Sequence, residues 1–96
     1  MNNLDLLEIA QREFRDAIRW YRSDNLDAAR RFAIEVKTAV SAIHAHPTRY
    51  PRWDDRYRFF LLRKFPYYVA YRIEPESVVV VAVFHTSRDA SAWTDR

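Results

Sequence analysis

The sequence predicts an α+β fold: an N-terminal strand, an αα-hairpin, then a three-stranded antiparallel meander, with the helices packed on one face of a small sheet. Three observations predict it. Two stretches, 10–22 and 25–46, repeat apolar residues at helical spacing. Three later runs, Arg56–Leu62, Phe65–Ile73 and Val78–Phe84, are rich in β-branched and aromatic residues. The turns between those runs are too short for a crossover helix, so neighbouring runs pair antiparallel. At 96 residues the chain is expected to form one domain, 1–96.

Leu4–Ile9 reads as a short first strand, and helical spacing begins at Ala10. Phe14, Ala17, Ile18 and Tyr21 fall at i, i+3, i+4 and i+7, one stripe of an amphipathic helix. Ser23-Asp24-Asn25 breaks the pattern, and Asp24 or Asn25 is a natural N-cap for a second helix. Its stripe is Ala29, Phe32, Ala33, Val36, Val40 and Ile43, and Pro47 stops it. The short link makes the two helices an antiparallel hairpin. Residues 47–55 form a loop whose Tyr50 and Trp53 are expected to fold back over an edge of the core. In the middle strand Tyr67, Val69, Tyr71 and Ile73 face the core, while Tyr68, Ala70 and Arg72 face out. The last strand is apolar on both faces, which predicts a covered, central position. Beyond Arg88 the chain reads as an irregular tail or short helical turn carrying Trp93.

Composition narrows the chemistry. There is no cysteine, which removes disulfide and thiolate chemistry. There is no glycine, which excludes a P-loop and a dinucleotide-binding loop. The apolar run Val78–Phe84 is far shorter than the ~20 residues of a membrane helix, and the N-terminus lacks the features of a signal peptide. A cytoplasmic protein without a membrane partner is expected. His44 and His46 are two apart, not i, i+4, so a metal site is not expected, nor any cofactor.

The net charge of +3 is unevenly placed. Residues 49–72 carry seven basic side chains against two acidic ones. Such an excess points to an acidic partner, either nucleic acid or an acidic protein segment, or to an ordinary solvated face. Arg56, Arg58, Arg72 and Arg88, with Tyr68, His85 and Trp93, are the candidate target-binding residues; the meander is expected to gather their side chains beside the tail. For His85, Arg88 and Asp89 the alternative is a structural ion pair that fixes the tail. Tyr67, Tyr68 and Tyr71 resemble a base-stacking platform, although core packing suits Tyr67 and Tyr71 better. Glu13 and Asp16, beside Arg12 and Arg19, read as helix-surface ion pairs.

The ordered set of motifs resembles the RelE/ParE superfamily of type II toxins, including its plasmid stabilisation proteins. The resemblance rests on Ala10-x-x-Glu13-Phe14-x-x-Ala17-x-x-Trp20-Tyr21, then Phe32, Val36, Ile43 and Pro47. It continues through Arg58, Phe65-Pro66-Tyr67-x-Val69-x-Tyr71, Val83-x-His85-x-x-Arg88-Asp89 and Trp93. It implies a growth-inhibiting toxin neutralised by a cognate antitoxin, with which it forms an oligomer. The superfamily contains two target classes. ParE-like members inhibit DNA gyrase by binding, and RelE-like members cleave mRNA on the ribosome. The latter use several basic side chains and a C-terminal tyrosine or histidine; here Tyr68 stands where they carry an arginine, and the C-terminal aromatic is Trp93. An indole cannot donate a proton to a leaving group. The resemblance therefore favours a gyrase inhibitor with no catalytic residue, with a ribosome-dependent endoribonuclease as the alternative. A non-toxic member that sequesters antitoxin is a third reading.

Overall fold

The computed structural model describes residues 3–96. The elements are β1 (Asn3–Leu6), α1 (Glu8–Asp24), α2 (Leu26–Ala45), β2 (Arg58–Leu61), β3 (Tyr67–Ile73) and β4 (Ser77–His85), followed by a 3₁₀ turn, Ala90–Ala92. The four strands form one sheet in the order β1-β4-β3-β2. β2, β3 and β4 make the antiparallel meander, and β1 pairs parallel to β4 with Leu4 opposite Val78. β1 ends at Leu6, earlier than the alternation suggests. The Leu7 N–H still bonds Val80 O, but its carbonyl already accepts the Gln11 N–H and opens α1.

Asn25 alone joins the helices and serves both. Its backbone N–H donates to Tyr21 O at 2.8 Å, closing α1. Its side chain accepts from the N–H groups of Asp27 and Ala28 at 2.9 and 3.2 Å, opening α2. An extended backbone there, φ −156° and ψ 115°, needs no glycine. The link folds α2 back on α1, so that Phe32 lies against both Tyr21 and Phe14, with ring centroids 5.1 and 6.1 Å away.

Both helices cover one face of the sheet. Ala17, Phe32, Val36, Ala39 and Ile43 meet Val69, Tyr71, Val78, Val80 and Val83 in the main core. Most of the predicted stripe residues lie on this face, with Phe14, Ile18, Tyr21 and Val40 packed against its buried centre; predicted Ala33 is only half-buried, and Ala39 joins the core unpredicted. Pro47 ends α2, and the Tyr71 hydroxyl donates to its carbonyl at 2.6 Å, tying the helix end to β3.

The opposite face is also covered, which corrects the expectation for β3. Tyr68 and Ala70 do not face out; both are buried in a second core with Tyr57, Val79, Val81, Ala82, Phe84 and Trp93. Ile73, expected in the core, is 40% exposed at the end of the strand. Pairing slips between Ala70 and Tyr71: Ala70 opposes Ala82 while Tyr71 opposes Val80. Val81 is the extra residue of this bulge, so Val81 and Ala82, though adjacent, both join the second core. The 47–55 loop straddles the sheet edge. Tyr50 lies 4.8 Å from Phe60, whose side chain packs on the main core, while Trp53 stacks on Tyr68 at 5.6 Å across the other face.

Two outcomes follow. Trp93 is fully buried although it follows the last strand by eight residues. Trp93→Ala should lower the unfolding free energy by about 3–5 kcal/mol in urea denaturation, the cost of emptying a large aromatic site; a loss under ~1 kcal/mol would mean that the tail does not close the second core. Burial also pushes the Tyr71 phenol up to about 12. Folded Tyr71 then holds its proton where the unfolded phenol, near pH ~10, has lost it. Stability should fall as pH rises from about 10 to about 12, and Tyr71→Phe should flatten part of that fall. Burial raises Tyr21, Tyr67 and Tyr68 as well, so those groups account for the remainder. Urea midpoints across this range measure it, and an unchanged pH slope in the variant would contradict the assignment.

Candidate functional site

The candidate residues occupy both ends of β3. Arg58 pairs with Tyr71 near one end, and His85 pairs with Tyr67 at the other. β3 runs from Tyr67 to Ile73, roughly 20 Å of extended chain. The sheet therefore does not gather the four guanidinium groups into one patch.

At the first end Arg58 lies on the helix side of β2, half-buried, and donates to the carbonyls of Tyr50 and Thr48 at 2.7 and 3.3 Å. Arg72 follows Tyr71 in β3, so alternation turns it to the opposite face. There it pairs with Glu74 at 3.0 Å. Arg56 is exposed, its guanidinium 5.3 Å from the centre of the Tyr57 ring. An isolated bridge between Arg52 and Arg58 brings Arg52 alongside. Arg52, Arg56 and Arg58, with Thr48, Asp54, Asp55, Tyr57 and Ile73, line an open depression of about 260 Å³.

At the second end His85 lies 5.1 Å from the Tyr67 ring. Its Nδ1 accepts the Ser87 N–H at 3.0 Å, which holds the ring in place. Among the described residues Arg88 pairs with no carboxylate; its guanidinium lies 4.4 Å over the Phe84 ring. Trp20, 66% exposed on α1, Tyr67, His85 and Arg88 share the adjoining concave surface. Asp89 accepts the Ser91 N–H at 2.9 Å and caps the 3₁₀ turn. That backbone bond, joined by one from the Ser91 side chain, holds its carboxyl below the usual carboxylate range.

Tyr68 and Trp93 are held away from solvent. Tyr68 is 4% exposed and Trp93 0%, and the indole Nε1–H donates to the Tyr68 hydroxyl at 2.8 Å. Burial raises the Tyr68 phenol, an effect the Trp93 bond partly offsets. Neither residue presents a side chain to a ligand at the surface of this structure.

A further contact has no signal in the sequence. Glu13 does not form the expected helix-surface pair; it pairs with Arg96 at 3.0 Å and accepts the Val83 N–H at 3.2 Å. Arg96 also donates to Val81 O at 3.0 Å. The two side chains thus satisfy backbone groups beside the β4 bulge, past the point where β1 stops. Residues 83 apart in sequence carry no spacing rule that would pair them. Asp16 does form its expected pair, with Arg19 at 3.1 Å.

Among the described residues no group of three or more His, Asp or Glu side chains is placed to hold a metal ion. No described helix is long and apolar enough to cross a membrane.

Comparison with known proteins places this geometry. A solved structure described as the chromosomal ParDE TA system from P. aeruginosa superposes with a TM-score of 0.78 at 12% identity, covering 88% of this chain and 96% of that one. At that identity the likeness is one of fold. Comparison with curated proteins gives no match. A family model described as "ParE toxin of type II toxin-antitoxin system, parDE" matches residues 4–90, from β1 to the 3₁₀ turn. The chain belongs to the ParE toxin family of type II toxin–antitoxin systems.

Proposed function

We propose that this toxin inhibits DNA gyrase by direct binding, without chemistry of its own, and that a cognate antitoxin neutralises it. The observation that carries the reading is the family match across 4–90. The surroundings of Tyr68 and Trp93 support it. A ribosome-dependent nuclease needs accessible groups to take and give protons and several cations around one phosphate. Here the C-terminal aromatic is a buried indole bonded to Tyr68, and the arginines stand at two ends of the sheet.

Under this reading the target meets one or both sheet ends, through Arg56 and Arg58 or through His85 and Arg88. Arg72, already paired with Glu74, and the buried Tyr68 and Trp93 support the surface and do not touch the target. An amphipathic antitoxin segment laid across the hairpin and sheet would cover exposed apolar side chains such as Trp20 and Ile34. Cytoplasmic action and an oligomeric complex with antitoxin belong to the same proposal.

Purified protein should inhibit gyrase supercoiling in a dose-dependent way, and Arg56→Ala or Arg88→Ala should weaken inhibition at unchanged stability. No inhibition, together with cleavage of mRNA in a translation extract, would replace this reading with the endoribonuclease.

A further inference from the structure

We propose that the depression between the 47–55 loop and the start of β2 is a carboxylate-binding site, built to take one acidic side chain of a protein partner. The proposal does not rest on the partner being gyrase.

Arg52, Arg56 and Arg58 line the depression from separate positions of the loop and the start of β2. Among the described residues none of the three is paired with a carboxylate. Arg12, Arg19, Arg31, Arg72 and Arg96 are so paired, but Arg15, Arg22, Arg30, Arg49, Arg63 and Arg88 are not, so what distinguishes Arg52, Arg56 and Arg58 is that they line one depression. Of the two acids that line the site, Asp54 is committed to the backbone. Asp54 Oδ1 accepts the backbone N–H groups of Arg56 and Tyr57 at 2.8 and 2.9 Å, shaping the loop. Arg58 is positioned by the Thr48 and Tyr50 carbonyls, which are neutral and leave its full charge available. Arg56 rests against the Tyr57 ring, which limits where its planar head can turn. Oriented guanidinium groups are the partners that grip a planar carboxylate with two parallel bonds.

Size and charge select the ligand. About 260 Å³ is below the usual range of pockets for small molecules and suits a single inserted side chain. The lining includes Asp54 and Asp55 beside the three arginines, so five charges sum to about +1. A nucleic-acid strand, with a negative charge every ~3.4 Å along its axis, would press further phosphates against those acids. An isolated carboxylate meets the arginines without that repulsion, and a basic neighbour in the same peptide would find the aspartates.

Titration of the isotope-labelled full chain, followed at the arginine side-chain N–H signals by NMR, tests this directly. The probes are a capped Ala-Lys-Glu-Lys-Ala peptide, its glutamine counterpart and a short oligothymidylate. The glutamate peptide should shift the Arg52, Arg56 and Arg58 signals saturably. The glutamine peptide should bind about tenfold more weakly, the effect of losing a charge-assisted hydrogen bond. Arg52→Ala and Arg56→Ala, both at exposed loop positions, should each weaken the glutamate peptide, while Arg19→Ala on α1 should not. Equal binding of the two peptides would overturn the proposal. So would oligothymidylate shifting the same signals at lower concentration than the glutamate peptide, which would make this a nucleic-acid site.

Discussion

β4 is apolar on both sides, and burying both sides is the constraint that shapes the molecule. Val78 to Phe84 are all buried, and a sheet with helices on one face alone would leave Val79, Val81 and Phe84 in water. Burying a large apolar side chain is worth about 1.5–3 kcal/mol, so a second cover carries a substantial share of the stability of a domain this small. The hairpin supplies the first layer through Phe32, Val36 and Ile43. The second is assembled from pieces without regular structure: Trp53 and Tyr57 of the loop, and Trp93 of the tail. Its polar atoms are partly matched internally, as the bond from the Trp93 indole to the Tyr68 hydroxyl shows.

Much of this was legible in the sequence wherever the signal was local. Asn25 as one of two candidate caps, Pro47 as a stop, the stripe through Phe32 and the C-terminal end of β3 all come from spacing and side-chain chemistry over a few residues. The two-sided apolar character of β4 likewise announced a central strand. What spacing did not disclose was the role of Tyr68. Alternation assigns a residue to a face but does not say whether anything covers that face, and its cover is a tryptophan 25 residues on. The bulge at Val81 was equally hidden, because it changes parity inside an unbroken valine run.

The arginines illustrate the same limit for function. Composition located a basic excess in residues 49–72, and Arg56 and Arg58 do share a depression. Arg72 is on the other face with its own carboxylate, and Arg88 lies at the far end of the sheet on the Phe84 ring. Charge counts along a chain ignore both the alternation of a strand and the length of a sheet. Arg52, which the sequence did not single out, enters through a bridge with Arg58 that only the folded loop creates. The depression proposed as a carboxylate site is thus shaped by how the loop returns over the sheet edge to complete the second core.

Native-state amide hydrogen exchange across β4 tests the two-sided core most directly. If both layers close on the strand as one unit, the amides from Val78 to Phe84 exchange only through global unfolding, with an opening free energy equal to that from urea denaturation. Exchange of the Val81–Phe84 amides through local opening at a markedly lower free energy would show that the loop and tail do not seal the second face, and would contradict the account.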